Sequence, residues 1–388
     1  MSRFFQILYL NYKIRQFTKQ DFKFIFLKKT ELKRIIGLDV ARAFAIIGMI
    51  IVNFKVVLGN QGSYLGNFIF DFFDGKASAI FVVLAGTGIA IMFKASLKSN
   101  NLTKINLLKK RILKRALFLL ITGLILMIFW IGDILHFYAV YMIFMLFLID
   151  KKSIYILLCG ITIVMLYPLL LFFLDYGTSW DFEKLEYYDI WTVNGFVRNL
   201  FFNGFHPVFP WISFMFFGFL LGNQNLDDFK IIKKIFWISL TTFIFVQLFS
   251  YYSISFFSNE LKISTEELFY IIGTGSMPPL PIYMLNGTSV AFVIITGSII
   301  LSKKFSNYLI IDLLHKTGKL SLTIYVLHIF LGIGIIEFIY PKSIGYFSLN
   351  FSIAYALIYS LFSILSSYFW LKYFNKGPLE WIMRKLTD

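Results

Sequence analysis

The sequence predicts an all-α, polytopic membrane protein of ten transmembrane helices with both termini cytoplasmic. Three observations predict it. The 388 residues are 58% hydrophobic with a mean hydropathy of +0.75, far above a soluble domain. Ten long apolar segments follow one another, and most reach the roughly 20 residues that a helix needs to cross about 30 Å of hydrocarbon. Thirty of the 37 Lys and Arg residues fall on the N-terminal tail, the C-terminal end and alternate connections, against four on the other connections. Cytoplasmic loops collect Lys and Arg in this way.

The segments are approximately 36–58, 68–93, 116–130, 134–149, 153–174, 199–222, 235–256, 280–302, 320–340 and 346–371. The third and fourth are short and must pack centrally or borrow flanking residues. Residues 1–35 read as a basic cytoplasmic interfacial segment, aromatic on one side and Lys-rich on the other, rather than a signal peptide. Residues 36–388 read as a single transmembrane domain without internal repeats. The connections 94–115 and 223–234 are expected inside, 175–198 and 257–279 outside.

The net charge of +16 is read as topogenic and facing anionic inner-leaflet lipid, not nucleic acid. The single Cys159 excludes disulfide frameworks, and four scattered histidines point away from a metal centre. No P-loop, HExxH, GxSxG or CxxC motif is present. The outer connection 175–198 mixes Asp175, Asp181, Glu183, Glu186 and Asp189 with Trp180, Tyr187, Tyr188 and Trp191. Two readings stand: an acceptor-binding surface for a sugar or a cation, and an ordinary solvated loop with interfacial aromatics.

Ionisable groups within spans are costly and usually face the bundle interior. Asp39 and Arg42, three apart, share a face of span one and can pair. They read either as a boundary ion pair or as a site in which Arg42, with the run 109–115, holds phosphate. Asn53 and Lys55 stand near the outer end of span one, and Asp71, Asp74 and Lys76 in the outer third of span two. Asp133 and His136 open span four. The carboxylate either fixes the histidine as a general base or only caps the helix. His206 lies in the outer half of span six; His328 reads as a buried packing histidine, and His315 as a residue of a cytoplasmic loop without a role.

Five stretches carry a resemblance: RIIGLDVARAFAIIGMIIVNF, FFDGKASAIFVVLAGTGIAI, GDILHFYAVYMIF, HPVFPWISFMFFGFLLG and GKLSLTIYVLH. In this order, over spans one, two, four, six and nine, they resemble the heparan-α-glucosaminide N-acetyltransferase and YeiB-like membrane proteins. The resemblance implies a transmembrane acyltransferase-like domain that moves an acyl group, acetyl in the typical case, from cytoplasmic acyl-CoA to a glycan or other acceptor beyond the membrane. It implies no metal, a plasma (inner) membrane location and roles in cell-envelope polysaccharide modification, with a homodimer as one open assembly. Asp39 and Arg42 match its first-helix motif. Asn53 stands where related O-acyltransferases carry a histidine, and the following loop, 56–67, has none. Another base must therefore serve. His136 with Asp133 comes first, His206 second, and Asp71 or Asp74 third, while Asn53 or Lys76 would stabilise the oxyanion. The competing reading is a transporter or exporter of a small solute or glycolipid, which buried charges suit equally.

Overall fold

A computed structural model describes residues 34–59, 73–98, 102–182, 184–341 and 344–388. The interfacial segment 1–33, the first residues of the second predicted span and Asp71 lie outside the described residues.

Each of the ten apolar segments contains helix. Span one is α1 (Ile36–Leu58). The second helix, α2 (Lys76–Leu97), starts at Lys76 rather than carrying it inside, because Gly75 turns the chain with φ of 62°. The third, α3 (Leu102–Met127), begins well before the predicted 116, so the basic run 109–115 is helical and not a connection. Then come α4 (Leu135–Leu148) and α5 (Ser153–Leu170), joined by a tight turn.

Span six is not the continuous helix expected. It is built from α6 (Val193–Arg198), a wide π turn at Asn199–Asn203, and α7 (Val208–Gly222), bent by 46°. Pro207 caps α7 and Pro210 sits in its first turn; neither has an N–H to carry a helix through from Asn203. His206 lies at this break.

The long α8 (Phe229–Leu261) starts on the Asp228 side chain, which accepts from the Lys230 N–H at 2.8 Å. It is followed by the short α9 (Thr265–Ile272) and by α10 (Pro281–Lys304), with proline at its first position. A helix α11 (Leu309–Lys319) occupies part of the connection before span nine, which runs as α12 (Ser321–Leu327), a π turn His328–Ile333 and α13 (Gly334–Ile339). The chain ends with α14 (Leu349–Tyr373) and α15 (Pro378–Thr387). One two-stranded antiparallel ribbon, β1 (Trp180–Asp181) against β2 (Glu186–Tyr187), is the exception to helix among the described residues.

Among the described residues, seven helices are long and apolar enough to cross a membrane, eight when the bent pair counts as one span. The chain is a multi-pass membrane protein. The remaining two segments fall short for visible reasons: α3 carries its Lys and Arg within the helix, and α4 has only 14 residues.

Residues 35–388 pack as one unit in which α1, α2, α7 and α10 form the interior. The α2–α7 crossing is close because both helices present glycine. A Cβ on Gly218 would lie 2.1 Å from the Val83 carbonyl oxygen, and Thr87 Oγ1 bridges to the carbonyls of Val83 and Gly218 at 2.9 and 3.0 Å. Small residues at helix crossings replace the hydrophobic drive that lipid cannot supply. At the basic end, Lys94 donates to the carbonyls of Asn223 and Gln224, and Lys303 to those of Leu226 and Asp227. These lysines therefore satisfy chain-end carbonyls between α7 and α8.

Candidate active site

The site begins at the turn between α3 and α4. Asp133 Oδ2 accepts from the His136 backbone N–H at 3.2 Å and lies 3.0 Å from His136 Nδ1. The one carboxylate thus serves the first turn of α4 and lies against the ring, although the residue that caps α4 is Ile134 and not Asp133. Asp133 Oδ1 accepts from the Tyr325 hydroxyl of α12 at 3.0 Å, and that hydroxyl accepts from Ile134 N–H at 3.1 Å. Asp133 and His136 are essentially fully buried. Their backing is the α3 backbone: a Cβ on Gly123 would meet His136 N at 2.4 Å and Asp133 Oδ2 at 2.7 Å.

A carboxylate only accepts, so its partner Nδ1 carries the proton and Nε2 keeps a lone pair. His136 Nε2 is buried and has no hydrogen-bond partner among the described residues. The same holds for Trp130 Nε1, His206 Nδ1 and Trp211 Nε1. These four nitrogens belong to one aromatic cluster. His136 lies tilted against Phe137 at 4.0 Å between ring centroids, Phe137 meets His206 at 6.0 Å, and His206 meets Trp211 at 4.6 Å. Trp130 joins through Phe205 at 6.3 Å. The Tyr141 hydroxyl donates to the His206 carbonyl and fixes the bend. Buried polar atoms are rarely left unpaired, and a cluster of them marks a place where another molecule supplies the partner.

The other predicted residues arrange around this centre. Asn53 Nδ2 lies 2.9 Å from His328 Nε2, while His328 Nδ1 bonds to the Tyr325 carbonyl. His328 is buried and hydrogen-bonded, and Tyr325 links this pair to Asp133. Asp74 accepts from Ser276 Oγ at 3.4 Å, and Lys76 starts α2 almost wholly buried. Both sit beside Gly75, whose carbonyl accepts from Tyr283; Tyr283 in turn packs on Trp211 at 5.7 Å. Two rings, Tyr283 and Trp211, thus lie between Gly75 and His206.

Asp39 and Arg42 occupy the basic end of α1 and are paired. Eleven residues separate Arg42 from Asn53, about 16 Å along the helix. His315 corrects the sequence reading: it lies on α11, not in a loop, with Nδ1 3.2 Å from Asp39 Oδ2, near enough for an ionic contact though off the line of a hydrogen bond. Beside this group a cavity of about 240 Å³ has Arg42, Arg115, Ser321 and Met383 at its basic end and apolar walls from α2 and α3. It reaches Tyr138 and Met142 of α4; Tyr138 is two residues from His136. Arg115 and Arg111 hold the Asp388 side chain at 2.8 and 3.2 Å. Burial opposes ionisation of Asp388, yet these arginines outweigh it and hold the carboxyl below its ordinary range.

In the acid-aromatic connection, Asp181 and Asp189 are paired within the loop. Asp189 is held by Arg198 at 2.6 Å, which lowers its carboxyl from the ordinary range. The Tyr188 hydroxyl at 2.6 Å and the Lys184 N–H hold Asp181 down to about 2. Trp180 and Tyr187 bond to Asn203, and Trp180 packs edge-on to Phe205 at 4.9 Å. The described part of this loop is thus a self-paired cover over the aromatic cluster.

Tyr325, Tyr141 and Trp211 were not singled out from the sequence. Tyr325 lies in GKLSLTIYVLH, three residues before His328, but its partner Asp133 is 192 residues away.

Residues 34–257, more than half of the chain, match the family described as Heparan-alpha-glucosaminide N-acetyltransferase, catalytic. Residues 221–388 match a Protein of unknown function family (DUF418). No curated protein matches the chain.

Proposed function

The chain belongs to the heparan-alpha-glucosaminide N-acetyltransferase family, and from that premise we propose that it transfers an acyl group, acetyl in the simplest case, from cytoplasmic acyl-CoA to an extracytoplasmic glycan. In this reading ten helices cross the plasma membrane, both termini are cytoplasmic, and residues 36–388 are one catalytic domain. The basic end faces the cytoplasm. Arg42 and Arg115 receive the donor's phosphates, for which guanidinium forks are suited. The cavity they flank takes the narrow arm that bears the thioester toward α4.

His136 acts as the general base. Its Nε2 accepts the proton of the acceptor hydroxyl or amine while that atom attacks the thioester carbonyl. The new C–O or C–N bond forms, the C–S bond breaks, and the departing CoA thiolate takes the proton back from His136. Asp133 holds the ring and balances its transient charge. His206 and the indole N–H groups of Trp130 and Trp211 are the donors and acceptors left to meet the reacting carbonyl and the acceptor.

The observation that carries this reading is His136: buried, held at Nδ1 by Asp133, with Nε2 unpartnered among the described residues. Calorimetric titration of the purified protein with acetyl-CoA tests the donor side. Binding is expected, and Arg42→Ala should weaken it about tenfold, the loss of one charge-assisted contact. A folded protein that binds no acyl-CoA would overturn the acyl-transfer reading and favour transport.

A further inference from the structure

The second polar feature of the bundle lies outside the site just described, where α8 emerges beside α9. Thirty-three residues make α8 about 50 Å long at about 1.5 Å per residue, some 20 Å more than the hydrocarbon requires. Its last turns carry Gln247, Ser250, Tyr251, Ser255, Ser258 and Asn259. Their spacing of three and four places them on one face. Such a face on the emerging end of the helix is suited to a polar partner.

It lines a cavity of about 480 Å³. Thr265, Phe269 and Thr274 close the opposite wall. The wall is fixed: Ser250 Oγ donates to the Ile272 carbonyl at 2.8 Å, and Ser264 caps α9 by accepting from Glu267 N–H at 3.1 Å. Among the described residues none that lines the cavity is charged, although Glu260, Lys262, Glu266 and Glu267 stand within a few residues of it in sequence. Hydroxyl and amide groups that both donate and accept, next to the exposed rings of Tyr251 and Phe269, match a pyranose, which offers hydroxyls at its rim and C–H groups on its face.

The cavity is also joined to the active-site cluster. From Thr274 the chain runs to Ser276, which bonds to Asp74, and to Met277, which packs in the cluster of Trp180, Ile190 and Phe205. Three residues span at most about 11 Å. By contrast, two acids of the described 175–198 loop, Asp189 and Asp181, are already held by Arg198 and by Lys184 with Tyr188.

We propose that this cleft binds an uncharged glycosyl unit, a subsite for acceptor sugars next to the reacting one. Binding itself follows from the cleft's chemistry; only the fate of the sugar rests on the acyl-transfer reading. The same chemistry could arrive on a free oligosaccharide or on a glycolipid headgroup.

The test uses the full chain in nanodiscs, titrated with cellotetraose and chitotetraose as neutral probes, a heparin tetrasaccharide as an anionic one and a chitosan tetramer as a cationic one. A parallel sample contains monoglycosyl diacylglycerol in the disc. Neutral probes should bind at least tenfold more tightly than either charged probe. Ser258→Trp, which fills the cleft, should weaken them tenfold or more, and Tyr251→Ala, at an exposed rim position, severalfold. Acetyl-CoA titration of the same samples should not change. Binding seen only with the glycolipid disc, and lost in Ser258→Trp, supports the cleft and assigns its sugar to a lipid. The proposal is overturned if acetyl-CoA binds but no neutral sugar does, if the charged probes win, or if both variants bind like the parent. Neutral sugar bound without acetyl-CoA would leave the cleft standing and remove the acyl-transfer reading.

Discussion

Two carboxylate–histidine pairs stand among the described residues of this bundle, and their surroundings set them apart. Asp133 with His136 and Asp39 with His315 both place Nδ1 close to a buried carboxylate, at 3.0 and 3.2 Å. At the basic end the carboxylate is shared with Arg42, and His315 is one-fifth exposed. In the interior the second carboxylate oxygen goes to a tyrosine hydroxyl, and the far ring nitrogen is buried without a hydrogen-bond partner among the described residues. A carboxylate–histidine contact alone is therefore not a catalytic signature. What the free nitrogen faces, and whether a cation already shares the carboxylate, separates a candidate base from a clamp that steadies an arginine.

The largest expected effect breaks this comparison most directly. His136→Ala should lower acetyl transfer by about 10²–10⁴-fold, the usual worth of a general base, with acetyl-CoA binding unchanged. His315→Ala should instead leave the chemical step within about tenfold and act on donor affinity, because Asp39 then holds Arg42 less firmly. Transfer assays and calorimetry on both variants decide it. Full turnover by His136→Ala would move the base to His206, the other histidine of the cluster.

An intermediate effect sharpens the comparison at the carboxylate. Tyr325→Phe removes one hydroxyl from Asp133 and retains the ring. Groups that orient a catalytic side chain from behind commonly matter by about 10- to 100-fold. The expected result is a fall of about tenfold in kcat with no change in KM for acetyl-CoA. A merely structural role would show as lost thermal stability with kcat intact.

Sequence and structure agree where the signal is local. Every apolar run contains helix because continuous hydrophobicity and helix length are properties of the run itself. Asp39–Arg42 was readable because three residues along a helix bring side chains to one face, and Asp133–His136 because a carboxylate just ahead of a helix reaches the N–H groups of its first turn. The bend at His206 was not read: Pro207 and Pro210 were visible, but the apolar run passed over them, and only the described geometry separates α6 from α7. Contacts between distant segments were beyond reach. Asn53 meets His328 across 275 residues, and the π turn at His328 sets the ring's direction in a way no period reveals. The uncharged cleft was missed for a different reason: Ser, Asn and Gln on α8 do not interrupt hydropathy enough to be noticed, whereas the acids of the 175–198 loop draw attention, although Asp181 and Asp189 are held by neighbours within it.

The smallest expected effect concerns the cationic end. Asp388 sits on Arg111 and Arg115, so the arginines that would meet donor phosphates already hold a carboxylate of the chain. Asp388→Asn removes that competitor and should tighten acetyl-CoA binding. The carboxylate is two-fifths exposed, and water screens such contacts to less than about 1 kcal/mol, so the gain should be about two- to fivefold. The sign of its pH dependence follows from the lowered carboxyl. A group whose pKa is depressed in the fold keeps its charge, and its contacts, above the ordinary carboxylate range and loses them as pH falls through the folded value. The difference between parent and variant should thus stay flat from about pH 8 to about pH 5 and shrink only at more acid pH, as Asp388 itself becomes neutral. Calorimetry at several pH values checks this. A variant that binds acetyl-CoA less well than the parent would mean that Asp388 organises the arginines for the donor and does not compete with it.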